Sequence, residues 1–432
     1  MKIFIVSTTH PSINSSTNIL IKNILKNFEN NEKLKTIWLI YQHIKFDDIV
    51  NESSIITPIQ NYSDAVEVLK KYQPDFVLTN NNKFADIHYA FSLASNFLKI
   101  PLVQYKNADL SNHDLKHTKQ NSIYNLKRNL IQFFSRIPND SSSSRSSFII
   151  YKKKFLFKTK KSIGYSYFKN IKSQISNYIY PFFGNQNKRF TNLCDLQLVH
   201  NEVWLKILND GGVNPSKFSL IGNPYWDTLF ETSQLLSDKK EPISSKPIRV
   251  LICTVPLFEH GFWKFEQQEK FLTNLIQFIK KESNLSCSFK IHPSSENINY
   301  YKNIFKKFNV TFPIYQKENF WHLVQNFDIV LSYGFSTLHT ECALLGFRMI
   351  LLETNLNIRE MPLVKTGIQS GFIEKCNNLT EIYSICSKLC NQKIFFNENH
   401  LTEIKKTIYK FDGKSGYRAA EAIIKLLSKK KT

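Results

Sequence analysis

The stretch QNFDIVLSYGFSTLHTECALLGFRMILLET, from Gln325 to Thr354, decides how the chain is read. It opens with an apolar, β-type run, Ile329 to Leu331, and turns at Ser332-Tyr333-Gly334-Phe335. From Ser336-Thr337 it continues as STLHTECALLG and stops at Gly346. Ser or Thr at a helix start accepts hydrogen bonds from free backbone N–H groups. Glycine just past a helix end takes the left-handed conformation that closes it. A second apolar run, Met349 to Leu352, follows at once. Strand, turn, helix, strand is the repeat of an open parallel α/β sheet, in which ligands bind beyond the carboxyl ends of the strands. A helix N-terminus there is an anion site, because its N–H groups are unpaired and its dipole end is positive. Ser336 and Thr337 thus stand where a phosphate is expected. Glu341, roughly one turn further on, stands where a carboxylate can accept hydrogen bonds from a ribose.

Upstream, Phe289-Lys290-Ile291-His292-Pro293 ends another apolar run with a histidine and a turn-forming proline. A strand ending in Lys-x-His-Pro, followed about one α/β unit later by Ser-Thr-x-x-x-Glu, resembles the C-terminal half of GT-B nucleotide-sugar transferases that build bacterial surface polymers. The pattern is similar to polysialyltransferases, capsule Kdo transferases and CDP-glycerol glycerophosphotransferases. STLHTECALLG matches the last of these in spacing, with Glu341 where Asp is usual. UDP-N-acetylglucosamine 2-epimerases share the fold and carry a related Gly-Gly-x-x-Glu-Glu helix. Ser336-Thr337 in place of the glycine pair argues against an epimerase. The acidic-acidic-Gly pattern of the polysialyltransferases is not visible, which puts polysialic acid synthesis in doubt.

With 432 residues the chain is long enough for two domains. No apolar run reaches the roughly 18 residues of a membrane span, and MKIFIVSTTHP lacks the small-residue cleavage site of a signal peptide. Seven scattered cysteines without a Cys-x-x-Cys pair indicate neither a zinc site nor a disulfide framework, and a reducing cytoplasm fits. The net charge of +22 is uneven. Residues 111–190 hold 16 Lys/Arg against Asp114 and Asp140, a local balance of +14. There basic residues alternate with Phe and Tyr. That pattern fits docking on the anionic inner face of a membrane, binding of an anionic glycan acceptor, or a solvated loop. No recognised nucleic-acid motif accompanies it.

Read in order, strands are expected at Lys2 to Ser7, Thr36 to Tyr41, 74–79 and Ile100 to Tyr105, with helices at Thr17 to Phe28, from Ser63, and at His88 to Leu98. The phrase "PDFVLTN…ASNFLKIPLVQY" resembles the N-terminal domain of GT-B enzymes. After the basic stretch come a strand at Cys194 to His200, a helix at Val203 to Leu208 and a strand at Phe218 to Ile221. The turn Gly222-Asn223-Pro224-Tyr225-Trp226-Asp227 then offers Asp227 as cap of a following helix, and resembles both the surface-polymer transferases and the epimerases. The second half predicts strands at Ile248 to Cys253, Cys287 to Ile291 and Val310 to Phe312, and helices at Phe265 to Lys281, Tyr300 to Phe308, Glu318 to Gln325 and Leu379 to Leu389. The expectation is an α/β protein of GT-B type, two Rossmann-like domains whose parallel sheets face a central cleft. An N-terminal acceptor domain spans 1–232 with the basic insert 111–190. A linker follows at 233–246, a nucleotide-donor domain at 247–413, and a closing helix with basic tail at 414–432, which in GT-B folds crosses back onto the first domain.

Transfer from a nucleotide-activated donor leaves negative charge on the departing phosphate, which fixed donors must stabilise. His292, Ser336, Thr337 and the helix N-terminus are the candidates, with Lys290 and Thr254 lining the same end of the sheet. Lys290 either joins His292 in the cleft or sits solvated on the opposite sheet face. His339 reads as structural. The acceptor hydroxyl needs a general base from the other domain. His10, at the end of the first strand, is the first candidate, with Asp109, His200 and Glu202 as rivals. There is no Asp-x-Asp motif and no Walker or dinucleotide glycine loop, so no metal and no cofactor is expected, the nucleotide-sugar being a substrate. The resemblance implies transfer of a sugar or polyol phosphate to a cell-surface glycan or lipid-linked acceptor. The alternatives are an epimerase-like enzyme or a non-catalytic GT-B glycan-binding protein.

Overall fold

In the computed structural model the described residues are 1–7, 10–12, 15–28, 34–41, 49–50, 53–80, 86–105, 142–168, 193–210, 212–236, 247–259, 262–292, 296–334, 336–354, 367–369, 371, 373–391 and 408–431. They build two sheets. The first contains β1 (Lys2–Ser7), β2 (Lys35–Ile40), β3 (Ile49–Val50), β4 (Ser54–Pro58), β5 (Phe76–Asn80), β6 (Leu102–Tyr105), β7 (Leu196–Val199) and β8 (Phe218–Leu220). Their order is β3-β4-β2-β1-β5-β6-β7-β8, parallel throughout except for the β3–β4 pair. The second sheet contains β9 (Ile248–Cys253), β10 (Leu285–Lys290), β11 (Ile314–Tyr315), β12 (Ile329–Ser332), β13 (Met349–Leu352) and β14 (Ile373–Cys376). It is wholly parallel, in the order β11-β10-β9-β12-β13-β14. Central strands such as β1 and β12 are buried along nearly their whole length. That is why they read as continuous apolar runs: helices cover both faces of a parallel sheet.

Each sheet reverses its direction of growth once. In the first, the chain moves outward from β1 through β2 to β4, then returns to the other side of β1 with β5. In the second it moves from β9 through β10 to β11, then returns to the other side of β9 with β12. The two switch points therefore lie between β1 and β5 and between β9 and β12. These are the places where open α/β sheets hold their ligands.

The helices between strands are α1 (Ser16–Leu25), α2 (Ala65–Tyr72), α3 (Asp86–Leu98), α4 (Ser142–Ser162), α5 (Glu202–Asp210), α6 (Tyr225–Leu236), α7 (Phe265–Lys281), α8 (Ile298–Lys307), α9 (Phe320–Leu323), α10 (Leu338–Leu345), α11 (Ile382–Asn391) and α12 (Ser415–Lys431). Local chemistry fixes several ends. Asp64 caps α2 by accepting from Val66 N (2.8 Å) and Glu67 N (3.0 Å). Gly346, at φ +73°, closes α10 as its position in the sequence predicts.

Three expectations change. The basic stretch is not an insert throughout. Within it, α4 packs on α2 and α3, with Phe155 and Leu156 inside the first domain's core. Thr159 Oγ1 accepts from Ala65 N (3.1 Å), and the Ser162 hydroxyl donates to Asp64 (2.8 Å). The remaining parts of 111–190, at 111–141 and 169–190, lie outside the described residues. Second, Asp227 does not cap the helix that follows it. It sits inside α6, and its carboxylate accepts from Ser415 N (3.0 Å) and Gly416 N (2.6 Å), so it caps α12. Third, α6 runs on to Leu236, past the start of the expected linker, and buries Trp226 and Leu229 among Leu251, Trp321 and Cys342 of the second domain; residues 237–246 lie outside the described residues. Helix α12 crosses back as expected, placing Ala419, Ala420 and Ile423 against Ile3, Ile5 and Leu20. A Cβ on Gly416 would collide with the Asn23 carbonyl, so only glycine permits this approach.

Candidate functional site

Strands β10, β9 and β12 lie side by side, so the loops that follow them meet at the second switch point. The loop after β9 begins with Thr254, whose N donates to the Lys290 carbonyl (3.0 Å). The loop after β10 brings His292, half-buried, two residues beyond the strand end. The loop after β12 crosses at Gly334, where an added Cβ would lie 2.9 Å from Val255 Cβ; the glycine lets the two loops touch. Beyond it come Ser336, Thr337 and the N-terminus of α10. Thr254, His292, Ser336 and Thr337 are thus assembled by three adjacent strands.

One residue that the sequence does not mark, Glu296, joins the loops after β9 and β10. Glu296 is buried between α8 and the strand ends. Its Oε2 accepts from His292 N (2.6 Å) and from the Thr254 hydroxyl, and its Oε1 accepts from the Tyr301 hydroxyl. Gln316 Nε2 donates to the carbonyls of Glu296 (2.8 Å) and His292 (3.3 Å). Burial raises the Glu296 carboxyl above its ordinary range, and the three donated hydrogen bonds partly offset this. Nearby Glu259, in the loop after β9, is lifted to about 7, chiefly by burial and secondarily by the Glu296 charge. The available signal was spacing: an acid four residues after a histidine that ends a strand.

Lys290 is neither solvated nor aimed freely at the site. Its Nζ donates to the Gln316 carbonyl (2.7 Å), and burial lowers its pKa. Ser336 Oγ accepts from Leu338 N at 3.4 Å, a loose first-turn contact. Thr337, the helix cap by position, makes no side-chain cap. His339 folds back on Ser336, with Nδ1 2.8 Å from the Ser336 carbonyl, and burial pushes it down to about 4, so it is neutral near pH 7.

Glu341 is engaged within the scaffold. It is 3 % exposed and accepts from Trp321 Nε1 (2.8 Å) and Tyr225 OH (3.1 Å). Burial raises its pKa. Its carboxyl therefore ties α10 to α9 and to α6, the helix that arrives from the first domain.

At the first switch point, His10 follows β1. Its Nδ1 lies 2.5 Å from Ser12 Oγ, and its carbonyl accepts from Asn18 Nδ2 (2.8 Å). Behind it, His88 bridges β2 and β5, with Nε2 2.6 Å from Tyr41 OH and Nδ1 2.5 Å from Thr79 Oγ1. Burial drives His88 down to about 3, which holds it neutral. Of the rivals for a base, His200 is wholly buried, Glu202 is exposed at the start of α5, and Asp109 lies outside the described residues. Among the described residues no group of three or more His, Cys, Asp and Glu could hold a metal ion.

This architecture has counterparts among solved structures. UDP-GlcNAc 2-epimerase from Methanocaldococcus jannaschii matches with a TM-score of 0.54 at 15% identity, over 98% of this chain and 100% of its own. The S. aureus MnaA-UDP co-structure matches at 0.53 and 13% identity, over 99% and 97%. The fold is GT-B. The Neisseria meningitidis UDP-GlcNAc 2-epimerase bound to UDP-GlcNAc, at 0.50 and 16% identity over 99% and 100%, is a further GT-B likeness. No protein-family model matches the chain, and a search of curated proteins finds no match. The GT-B likeness spans both sheets and the crossing helix α12.

Proposed function

We propose that this GT-B chain is a nucleotide-sugar enzyme, and that it transfers a sugar or polyol phosphate from a nucleotide donor to a cell-surface glycan or lipid-linked acceptor. One observation carries the reading: the loops of Thr254, His292 and Ser336-Thr337 converge at the switch point of the second sheet, against the N-terminus of α10. In this reading His292 and the α10 N-terminus receive the departing phosphate, and a base of the first domain, His10 foremost, takes the acceptor proton. Glu341 enters the donor site only by shifting from Trp321 and Tyr225.

The transferase is preferred to an epimerase on the α10 helix. The epimerase pattern has a glycine pair where this chain has Ser336-Thr337, and an acid where it has Thr340. The epimerase reading has one observation in its favour, the full-length fold likeness to enzymes of that name. The test starts with a thermal-shift screen of UDP-, CMP-, CDP- and GDP-linked donors, followed by turnover of the donor that binds. His292→Ala and Ser336→Ala should each cut turnover at least about a hundredfold while melting normally. Near-normal turnover in both would sink the site assignment. Accumulation of the 2-epimer from UDP-N-acetylglucosamine without acceptor would replace the transferase by the epimerase.

A further inference from the structure

Helix α4 has two faces of different chemistry. The inward face is anchored to α2 and α3 through Phe155, Leu156 and Thr159, and by Lys160 over the Tyr89 ring (5.6 Å). The outward face carries Lys154, Lys158 and Lys161, all exposed. Their spacing of four and three residues aligns them in one stripe. Beside that stripe, Phe157 lies 6.1 Å from the Tyr167 ring, and Tyr167 lies 6.2 Å from Phe168. Tyr167 is 65 % exposed and Phe168 84 %. Residues 142–168 contain seven Lys/Arg and no Asp or Glu.

We infer that this stripe is a docking surface for an anionic lipid bilayer. Three aligned ammonium groups on a rigid helix gain from the negative surface potential of acidic headgroups. Tyr167 and Phe168 supply the apolar and amphipathic rings that settle at the headgroup boundary. A soluble acidic glycan would answer the charge, but a phenyl ring offers it no hydrogen-bond donor. No described helix is long and apolar enough to cross a membrane, so the contact is one of surface attachment. The inference does not depend on the nature of the reaction.

The full chain is sedimented with phosphatidylcholine vesicles, with and without phosphatidylglycerol. Salt is set at about 0.1 M and about 1 M, where charge screening acts over roughly 10 Å and 3 Å. Binding is expected only with phosphatidylglycerol, and is lost at high salt. Replacing Lys154, Lys158 and Lys161 by Gln should weaken it at least about tenfold, whereas Gln at Lys280, Lys302 and Lys306 of the second domain should not. Tyr167→Ser with Phe168→Ser should weaken it too, without touching a buried residue. Equal binding to neutral vesicles, no binding, or equal loss in the control triple overturns the proposal. So does binding to soluble dextran sulfate that is as tight as to vesicles and indifferent to Tyr167 and Phe168, which would assign the stripe to an acidic polymer.

Discussion

Glu296 and Glu341 are two buried carboxyl groups in the same domain, each lifted above its ordinary range by burial, the first accepting three hydrogen bonds and the second two. Their donors differ. Those of Glu296 are the Thr254 hydroxyl, the His292 amide and the Tyr301 hydroxyl, so it ties together the loops that shape the switch point. Those of Glu341 are Trp321 and Tyr225, so it joins helices across the boundary between the two halves of the chain. The type of residue is the same; what it does follows from who donates to it. A carboxylate on a helix beside a phosphate site can serve the scaffold, while one on an unremarked loop can hold the site.

Breaking Glu296 should have the larger effect. Glu296→Ala leaves three donors without an acceptor, and the two buried ones, on Thr254 and Tyr301, are each worth about 1–3 kcal/mol. Urea unfolding should show a loss of roughly 3 kcal/mol or more, and the isosteric Glu296→Gln should lose donor turnover out of proportion to its smaller loss of stability. A Glu296→Ala protein with intact turnover would remove the residue from the site. Glu341→Gln sharpens the contrast. Stability should fall by about 1–3 kcal/mol with the KM for donor little changed. The reverse, a raised KM at unchanged stability, would return Glu341 to the ribose.

The smallest effect concerns Glu259, the acid beside Glu296. Its folded carboxyl holds its proton to about 7, against 4.5 for the ordinary side chain. The stabilisation this brings is complete below 4.5 and is lost as pH rises through 7, because the unfolded chain ionises first. Wild type should therefore unfold more readily at pH 8 than at pH 5, and Glu259→Gln should show less of that drop. Parallel pH profiles for the two proteins would dismiss Glu259 as the titrating group.

The parts legible in the sequence are those set by short-range pattern. Helix α7 falls at Phe265–Lys281 as its periodicity predicts, and β13 at Met349–Leu352. Edge elements were misread because pairing, rather than local pattern, places them. A strand is expected at Val310 to Phe312, whereas β11 forms at Ile314–Tyr315, in register with Phe289 and Lys290. Strand β4, inside the sheet between β3 and β2, is not legible in the sequence because it ends in a proline, a residue depleted in strands. Asp227 was assigned to the nearest helix, and its partners lie 188 and 189 residues away. Helix α4 was hidden by its charge, although Tyr151, Phe155, Leu156 and Thr159 recur at helical spacing. For the site, the sequence marks the loops through His292 and Ser336-Thr337. It does not show that Glu296 joins the His292 loop to the loop of Thr254 and to α8, since that depends on α8 folding back over the strand ends.

The capping of α12 by Asp227 also dictates an order of events during synthesis. Ile3, Ile5 and Leu20 emerge from the ribosome early, yet Ala419, Ala420 and Ile423, which cover them, emerge after both sheets have been made. Until then the cluster that α1 shares with the first sheet lacks its last layer, and the capping carboxylate of Asp227 waits for amides not yet translated. Closing a contact over some four hundred residues of chain is slow compared with forming any single βα unit. The first half of this protein therefore keeps part of an apolar cluster open until the end of the second half has been made.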